Sequence, residues 1–146
     1  MHIREATHQD LRLLLTLYSY LHSNEMPFID DEILKLWDGI MADVHHHIIV
    51  GMKRDTIICS CVLVTVPNLT HNQRPYALIE NVITHPDHRN RGYGTQILNY
   101  AKNIAIDSRC YKIMLMTGSK NASTLGFYQR AGYNMDDKTA FIQWLE

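Results

Sequence analysis

No stretch of this chain is apolar for long enough to cross a bilayer: the longest such run, Ile57 to Val66, falls well short of the roughly 20 residues a spanning helix needs. The opening Met1-His2-Ile3-Arg4-Glu5 lacks the apolar core of a secretory signal, so a cytoplasmic protein with no membrane partner is expected. Cysteine is scarce. Cys59, Cys61 and Cys110 are an odd number with no C-x-x-C pair, which argues against a disulfide framework or a thiolate metal site and leaves buried thiols as the simple reading. An excess of one charge is also missing. Lys and Arg total 14 against 15 Asp and Glu, a formal charge of −1, so a broad basic face for nucleic acid is not expected. No repeat, low-complexity tract or linker interrupts the 146 residues, a length suited to one domain, 1–146, with its own core.

Histidine, in contrast, is plentiful, at nine residues. The run His45-His46-His47 invites a metal reading, but strand neighbours point to opposite faces, so only His45 and His47 could share an ion. No carboxylate or cysteine pattern nearby completes a site, and no metal is expected.

The periodicities predict an α/β chain. His2 to Ala6 reads as a strand, and Thr7-x-x-Asp10 as a capping box opening a helix whose Leu11, Leu14, Leu15, Tyr18 and Leu21 share a face and which ends near Ser23. Asn24 to Phe28 reads as a loop, and Asp30 to Ala42 as a second helix. His47 to Met52 and Thr56 to Val66 form a hairpin about the turn Lys53-Arg54-Asp55, with Cys59 and Cys61 sharing a face with Ile57 and Leu63. Pro67 to Pro75 is loop. Tyr76 to Thr84 is a strand, Gly92 to about Ser108 a helix, and Lys112 to Thr117 a strand apolar on both faces, as in the middle of a sheet. Asn121 to Ala131 is a helix stopped by Gly132. Thr139 to Leu145 closes the chain as a strand, with a shorter one at Tyr133 to Asp136. The order β-α-α-β-β-β-α-β-α-β predicts a sheet with helices on both faces.

Chemistry concentrates in Thr84-His85-Pro86-Asp87-His88-Arg89-Asn90-Arg91-Gly92-Tyr93-Gly94-Thr95, between the strand ending at Thr84 and the helix opening at Gly92. A helix N-terminus offers about four unpaired N–H groups and roughly half a positive charge, and so attracts anions. Gly92 and Gly94 admit close approach, and Arg89 and Arg91 add charge. The spacing matches neither a P-loop, which needs Gly-Lys-Ser/Thr, nor a dinucleotide fingerprint, which needs a third small residue where Ile97 stands.

Arg89-x-x-Gly92-x-Gly94 resembles the Arg/Gln-x-x-Gly-x-Gly/Ala signature of the GNAT superfamily of acyl-CoA-dependent N-acetyltransferases. Asn121-Ala122-Ser123-Thr124-Leu125-Gly126-Phe127-Tyr128-Gln129-Arg130-Ala131-Gly132-Tyr133 is similar to a second family segment, Asn-x-x-small-x-x-Phe-Tyr-x-x-x-Gly-Phe/Tyr. The resemblance covers nearly the whole chain. It implies a mixed sheet, antiparallel at its N-terminal strands, with a parallel pair splayed at a bulge and helices on both faces.

It also implies acetyl-CoA as co-substrate. The coenzyme pyrophosphate would rest on N–H groups from Arg89 through Asn90, Arg91, Gly92, Tyr93 and Gly94 to Thr95, and the pantetheine arm would pair with the backbone at Val82, Ile83 and Thr84. Asn121 would bond the same arm, or serve only as an N-cap. Tyr128, a phenol protonated at neutral pH, would donate to the leaving thiolate or else merely pack on the sheet. Glu80, an acid inside an otherwise apolar strand, is the candidate base, with a structural salt bridge as the alternative. The family's acceptor pocket maps to Tyr18, His22, Glu25, Met26, Phe28 and Trp144, which suits a small-molecule or peptide amine. A homodimer is common in the family. The competing function is an acyl-CoA-binding module that senses without turnover.

Overall fold

Eleven residues of near-continuous apolar character make Thr56–Val66 the longest strand of the molecule. The computed structural model describes residues 1–22 and 25–146, which divide into two compact units, Met1–Leu115 and Met116–Glu146. In the larger unit, β1 (His2–Glu5), β2 (His46–Lys53), β3 (Thr56–Val66), β4 (Tyr76–Thr84) and β5 (Ile113–Leu115) lie side by side in that order. The first four are antiparallel, and β4 pairs with β5 in parallel. Arg54 and Asp55 make the β2–β3 turn, with Arg54 in the left-handed region at φ 54.

Alternation along the strands divides the buried residues between two faces. Ile48, Val50, Ile57, Val62 and Ile83 form one core with Leu11, Leu14 and Leu17 of α1 (Leu11–Tyr18) and Trp37 of α2 (Asp31–Ala42). Ile49, Cys59, Cys61, Leu63 and Ile79 point the other way, toward α3 (Tyr93–Asp107), whose Ile97, Leu98, Ala101 and Ala105 are buried at helical spacing. Each large side chain buried in this way contributes about 1.5–3 kcal/mol. Helices therefore cover both faces, as the periodicities predict. One assignment of faces fails: Gly51 stands opposite Cys59, but Met52 stands opposite Ile57, so β3 carries an extra residue there. That bulge turns Ile57 to the α1 face, away from Cys59 and Cys61. Gly51 is required beside it, since a Cβ would collide with Cys59 Sγ. Cys59 and Cys61 are buried as expected, whereas Cys110 is only half-buried; loss of hydration pushes the pKa up to about 11 for Cys59 and about 12 for Cys61.

The helix starts follow the sequence signals. Asp10 Oδ2 accepts from the Thr7 N–H at 2.7 Å, and Asp30 Oδ1 accepts from the Ile33 N–H at 3.0 Å. The first helix ends at Tyr18, earlier than expected; Ser23 and Asn24 lie outside the described residues. Hydroxyls near its end take up carbonyls, with Thr16 Oγ1 donating to Arg12 O and Ser19 Oγ to Thr16 O. His45 and His47 part, their Nδ1 atoms 2.9 Å from Thr65 Oγ1 and from Glu5 Oε2 respectively.

β5 departs from the expected buried central strand: it has three half-buried residues and stands at the edge of the sheet. It pairs only along Ala77–Ile79 of β4. In the smaller unit, α4 (Ala122–Arg130) is capped by Asn121, whose Oδ1 accepts from the Ser123 N–H at 3.1 Å, and it stops at Gly132 with φ +95. The strands expected at 133–136 and 139–145 do not form, and Phe141, Ile142, Trp144 and Leu145 are exposed. Apolar alternation supplies side chains for a strand, but only a neighbouring backbone supplies its ladder, and no ladder forms along these segments.

Candidate functional site

A break in register at the middle of β4 shapes the site. Ser60 of β3 stands opposite Ile83, and Val62 stands opposite Glu80, so two steps along β3 match three along β4. The surplus residue lies at Asn81–Val82, where Asn81 takes the left-handed conformation at φ 51. Asparagine tolerates that conformation better than the β-branched residues around it. Parallel pairing with β5 ends at Ile79–Leu115, and among the described residues no strand pairs with Glu80 to Thr84 on that side. The bulge implied by the resemblance is present, parallel pairing stops just before it, and the backbone of Val82, Ile83 and Thr84 follows directly after.

Beyond Thr84 the chain makes one 3-10 turn, Pro86–His88, with the His85 Nδ1 accepting from the Asp87 N–H at 3.2 Å. Arg89 folds back, its Nε donating to Thr84 O at 3.1 Å, and so braces the turn. Asn90 at φ 57 and Gly92 at φ 77 then lead into α3 through left-handed geometry. Gly92 is the N-cap, and no side chain caps the helix; the Gln96 N–H is the one that closes on Gly92 O, at 3.1 Å. The N–H groups of Tyr93, Gly94 and Thr95 in the first turn thus lack intrahelical partners. A Cβ at Gly92 would meet nothing within 4 Å, so the approach to these groups is open. Asn90, Arg91 and Gly92 are exposed, and Tyr93, Gly94 and Thr95 half-buried. The surroundings are basic. Partial desolvation, then Lys53 and Arg91, hold the His88 pKa below the usual imidazole value. An anion of compact, multiply charged form suits such a turn.

Glu80 is exposed, which corrects the expectation of a buried acid: the bulge follows it immediately and lifts this part of β4 from close packing. Its cross-strand partner Val62 belongs to the α1-side core, so Glu80 is on the α1 side of the sheet. Of the acceptor residues, Tyr18 is the last residue of α1, with its hydroxyl buried; His22, Glu25, Met26 and Phe28 are exposed. Thr16 Oγ1 lies 3.6 Å from Met26 Sδ and ties this segment back to α1. In the smaller unit, Tyr128 is half-buried on α4, its ring 4.9 Å from Phe127 and 6.3 Å from Tyr133, centroid to centroid. Asn121 is the N-cap that the sequence allowed. Trp144 is exposed. The larger unit alone therefore brings together the bulge, the basic turn, Glu80 and Tyr18. Asn81, the left-handed residue of the bulge, was not anticipated, although a signal existed in an asparagine within an apolar strand run.

The chain is similar to known proteins in sequence and in fold. The model of the Acetyltransferase (GNAT) family matches residues 10–133. A curated relative, the glucosamine 6-phosphate N-acetyltransferase of Trypanosoma brucei brucei, is 26% identical over 143 residues, spanning 94% of this chain and 92% of its own. A solved structure from Agrobacterium tumefaciens str. C58 that carries an acetyltransferase assignment is 32% identical, with a TM-score of 0.91 over 99% of this chain and 100% of that one. An aminoglycoside N-acetyltransferase solved in complex with CoA shares the fold, at 15% identity and a TM-score of 0.77 over 98% of each chain.

Proposed function

The chain belongs to the GNAT family of acetyltransferases, and from that premise we propose that it transfers an acetyl group from acetyl-CoA to a primary amine of a small molecule or peptide by direct attack on the thioester. The observation that carries this reading is the continuity of three devices along one segment: a bulge at Asn81, a strand freed from its parallel partner after Ile79, and an uncapped helix entered through Gly92 at φ 77. A bare phosphate turn would need only the last of these. The splayed strand adds main-chain donors and acceptors for an extended, amide-bearing arm.

In this reading the N–H groups from Arg89 to Thr95 hold the pyrophosphate, with Arg91 adding charge. The backbone of Val82 to Thr84 aligns the pantetheine, and the Val82 N–H donates to the oxyanion as it develops, a contact worth about 3 kcal/mol when preorganised. Glu80 takes the proton of the attacking amine directly or through water, its exposure giving it access to either. Tyr128 returns a proton to the thiolate. Asn121 bonds the coenzyme arm besides capping α4. The segment from Tyr18 to Phe28 contacts the amine. The family match runs through both compact units, which supports treating 1–146 as one catalytic domain. A cytoplasmic homodimer completes the proposal.

Thermal unfolding with and without acetyl-CoA tests it first. Ligand at about 100 times its dissociation constant stabilises by about 2.7 kcal/mol, several degrees at this size. No shift at millimolar ligand overturns the reading. Thiol release is then followed with glucosamine 6-phosphate, the aminoglycoside sisomicin and lysine-containing peptides as acceptors. Binding without release from any amine would favour the sensing module instead.

A further inference from the structure

Four rings follow one another across the approach to α3. The Tyr20 and His85 rings meet edge-on with centroids 4.7 Å apart, His85 and His88 are 5.7 Å apart, and His88 and Tyr93 are 6.4 Å apart. Tyr20 lies just beyond α1, its N–H donating to Leu17 O at 3.2 Å, whereas Tyr93 opens α3. The series therefore joins the root of the acceptor segment to the first turn of the coenzyme helix. None of the four residues is buried, and Tyr20 is 43% exposed. Burial of apolar surface gives little reason for such a series, but its place in the fold does.

The passage from His85 to Gly92 holds Asn90 at φ 57 and Gly92 at φ 77. For a residue other than glycine, left-handed backbone persists only where its surroundings over-determine it. Here Arg89 Nε donates to Thr84 O at 3.1 Å, and His85 Nδ1 accepts from the Asp87 N–H at 3.2 Å. Because Nδ1 accepts, the imidazole proton sits on Nε2, and only one orientation of the ring serves the turn. The His85 backbone is fixed separately, its N–H donating to Ile58 O at 2.8 Å, which leaves the imidazole torsions to be set by what the ring touches. Tyr20 bears on that ring from another element of the fold.

We propose that Tyr20 is a positioning residue for the coenzyme: its ring holds the His85 imidazole on the Asp87 N–H, and so keeps the turn leading to Gly92 in the shape that receives the pyrophosphate. This rests on the acetyltransferase reading. A site that is competent for only part of the time loses apparent affinity in proportion to that fraction. Removing the Tyr20 ring therefore weakens acetyl-CoA binding without removing a group that touches the coenzyme. A residue at the root of the acceptor segment thereby acts on the other substrate.

Titration calorimetry with acetyl-CoA compares the wild type with Tyr20→Ala, Tyr20→Phe, His85→Ala and the double alanine variant. An edge-on aromatic contact sets the scale, so the dissociation constant should rise about fivefold in Tyr20→Ala. Tyr20→Phe keeps the ring and should return it to within about twofold of the wild type. The double variant should bind no more weakly than His85→Ala alone, because Tyr20 acts through that imidazole. Affinity that Tyr20→Ala leaves unchanged, even with a lower melting temperature, makes the ring a fold contact and overturns the proposal. So does a Tyr20→Phe as weak as Tyr20→Ala, or a double variant whose loss is the product of the single losses. Should Tyr20→Ala fail to fold, Tyr20→Leu, which keeps apolar bulk without the ring, is judged by the same criteria. A wild type that binds no acetyl-CoA at millimolar concentration refutes the acetyltransferase reading itself, an outcome distinct from wild-type binding left unchanged in the variants.

Discussion

The corner where β1 meets α1 and the passage from β4 into α3 handle polar groups in opposite ways. At the corner, the Asp10 carboxylate, 4% exposed, accepts from both terminal nitrogens of Arg4, at 2.6 and 2.9 Å, and from the N–H and hydroxyl of Thr7, at 2.7 and 3.0 Å. Nearby, Trp37 Nε1 donates to His8 O at 3.1 Å. In the passage from β4, Asn81, Asn90 and Gly92 are left-handed, pairing with β5 has stopped, and no side chain caps the helix. The first region satisfies its own donors and gains stability. The second leaves the first N–H groups of α3 without a side-chain cap and holds three residues in left-handed geometry, a strain that persists only where the surrounding structure over-determines it.

The largest effect should come from the second region. Gly92→Val places a β-branched residue at φ 77 and a side chain in the approach to the turn, and should weaken acetyl-CoA binding about a thousandfold, or about 4 kcal/mol by titration calorimetry. Strain from the left-handed backbone should cost the fold only about 1–2 kcal/mol, so a stability loss larger than the affinity loss would erase the contrast.

Asp10→Asn probes the first region. It leaves the Arg4 charge without its partner and should cost about 3 kcal/mol in chemical denaturation, with acetyl-CoA affinity unchanged. The same pair sets a pH dependence. The Arg4 guanidinium holds the Asp10 carboxyl below its ordinary value, so its contribution is complete above the unfolded pKa of about 3.9 and is lost as pH falls through the lower folded value. The wild type should lose stability below about pH 4 by an amount that Asp10→Asn no longer shows.

Tyr128→Phe sharpens the comparison by separating chemistry from binding. Turnover should fall about a hundredfold while the acetyl-CoA dissociation constant stays within twofold. Equal losses in both would contradict the assigned roles. The smallest effect is expected of Glu80→Gln: about a tenfold loss of rate, confined to the lower pH range with an amine of high pKa. A pH-rate profile that drops evenly, or not at all, would leave Glu80 without a role as base.

Much of this was legible in the residues. The capping box at Thr7 and Asp10, the helix start at Asp30, the hairpin about Lys53-Arg54-Asp55 and the glycine entry to α3 are local signals, carried by contacts within a few positions. The site was legible to the same extent: the turn from Arg89 to Thr95 could be read directly, and Asn121 was recognisable as a cap. Glu80 was misjudged as buried because its apolar neighbours suggest burial, whereas the bulge beside it turns on pairing with β3. Lys112 to Thr117 and Thr139 to Leu145 were over-read for a related reason. Apolar composition shows that a segment can be a strand, and only a neighbour shows that it is one.

By itself, then, the sequence determined where helices start, where the hairpin turns and which turn is suited to an anion, because capping bonds, turn dihedrals and glycine's freedom depend on adjacent residues alone. Tertiary structure decided the extra residue in β4, the edge position of β5 and the exposure of Glu80. Those features depend on register between segments far apart in the chain, and register is the sum of many packing contacts with no local signature.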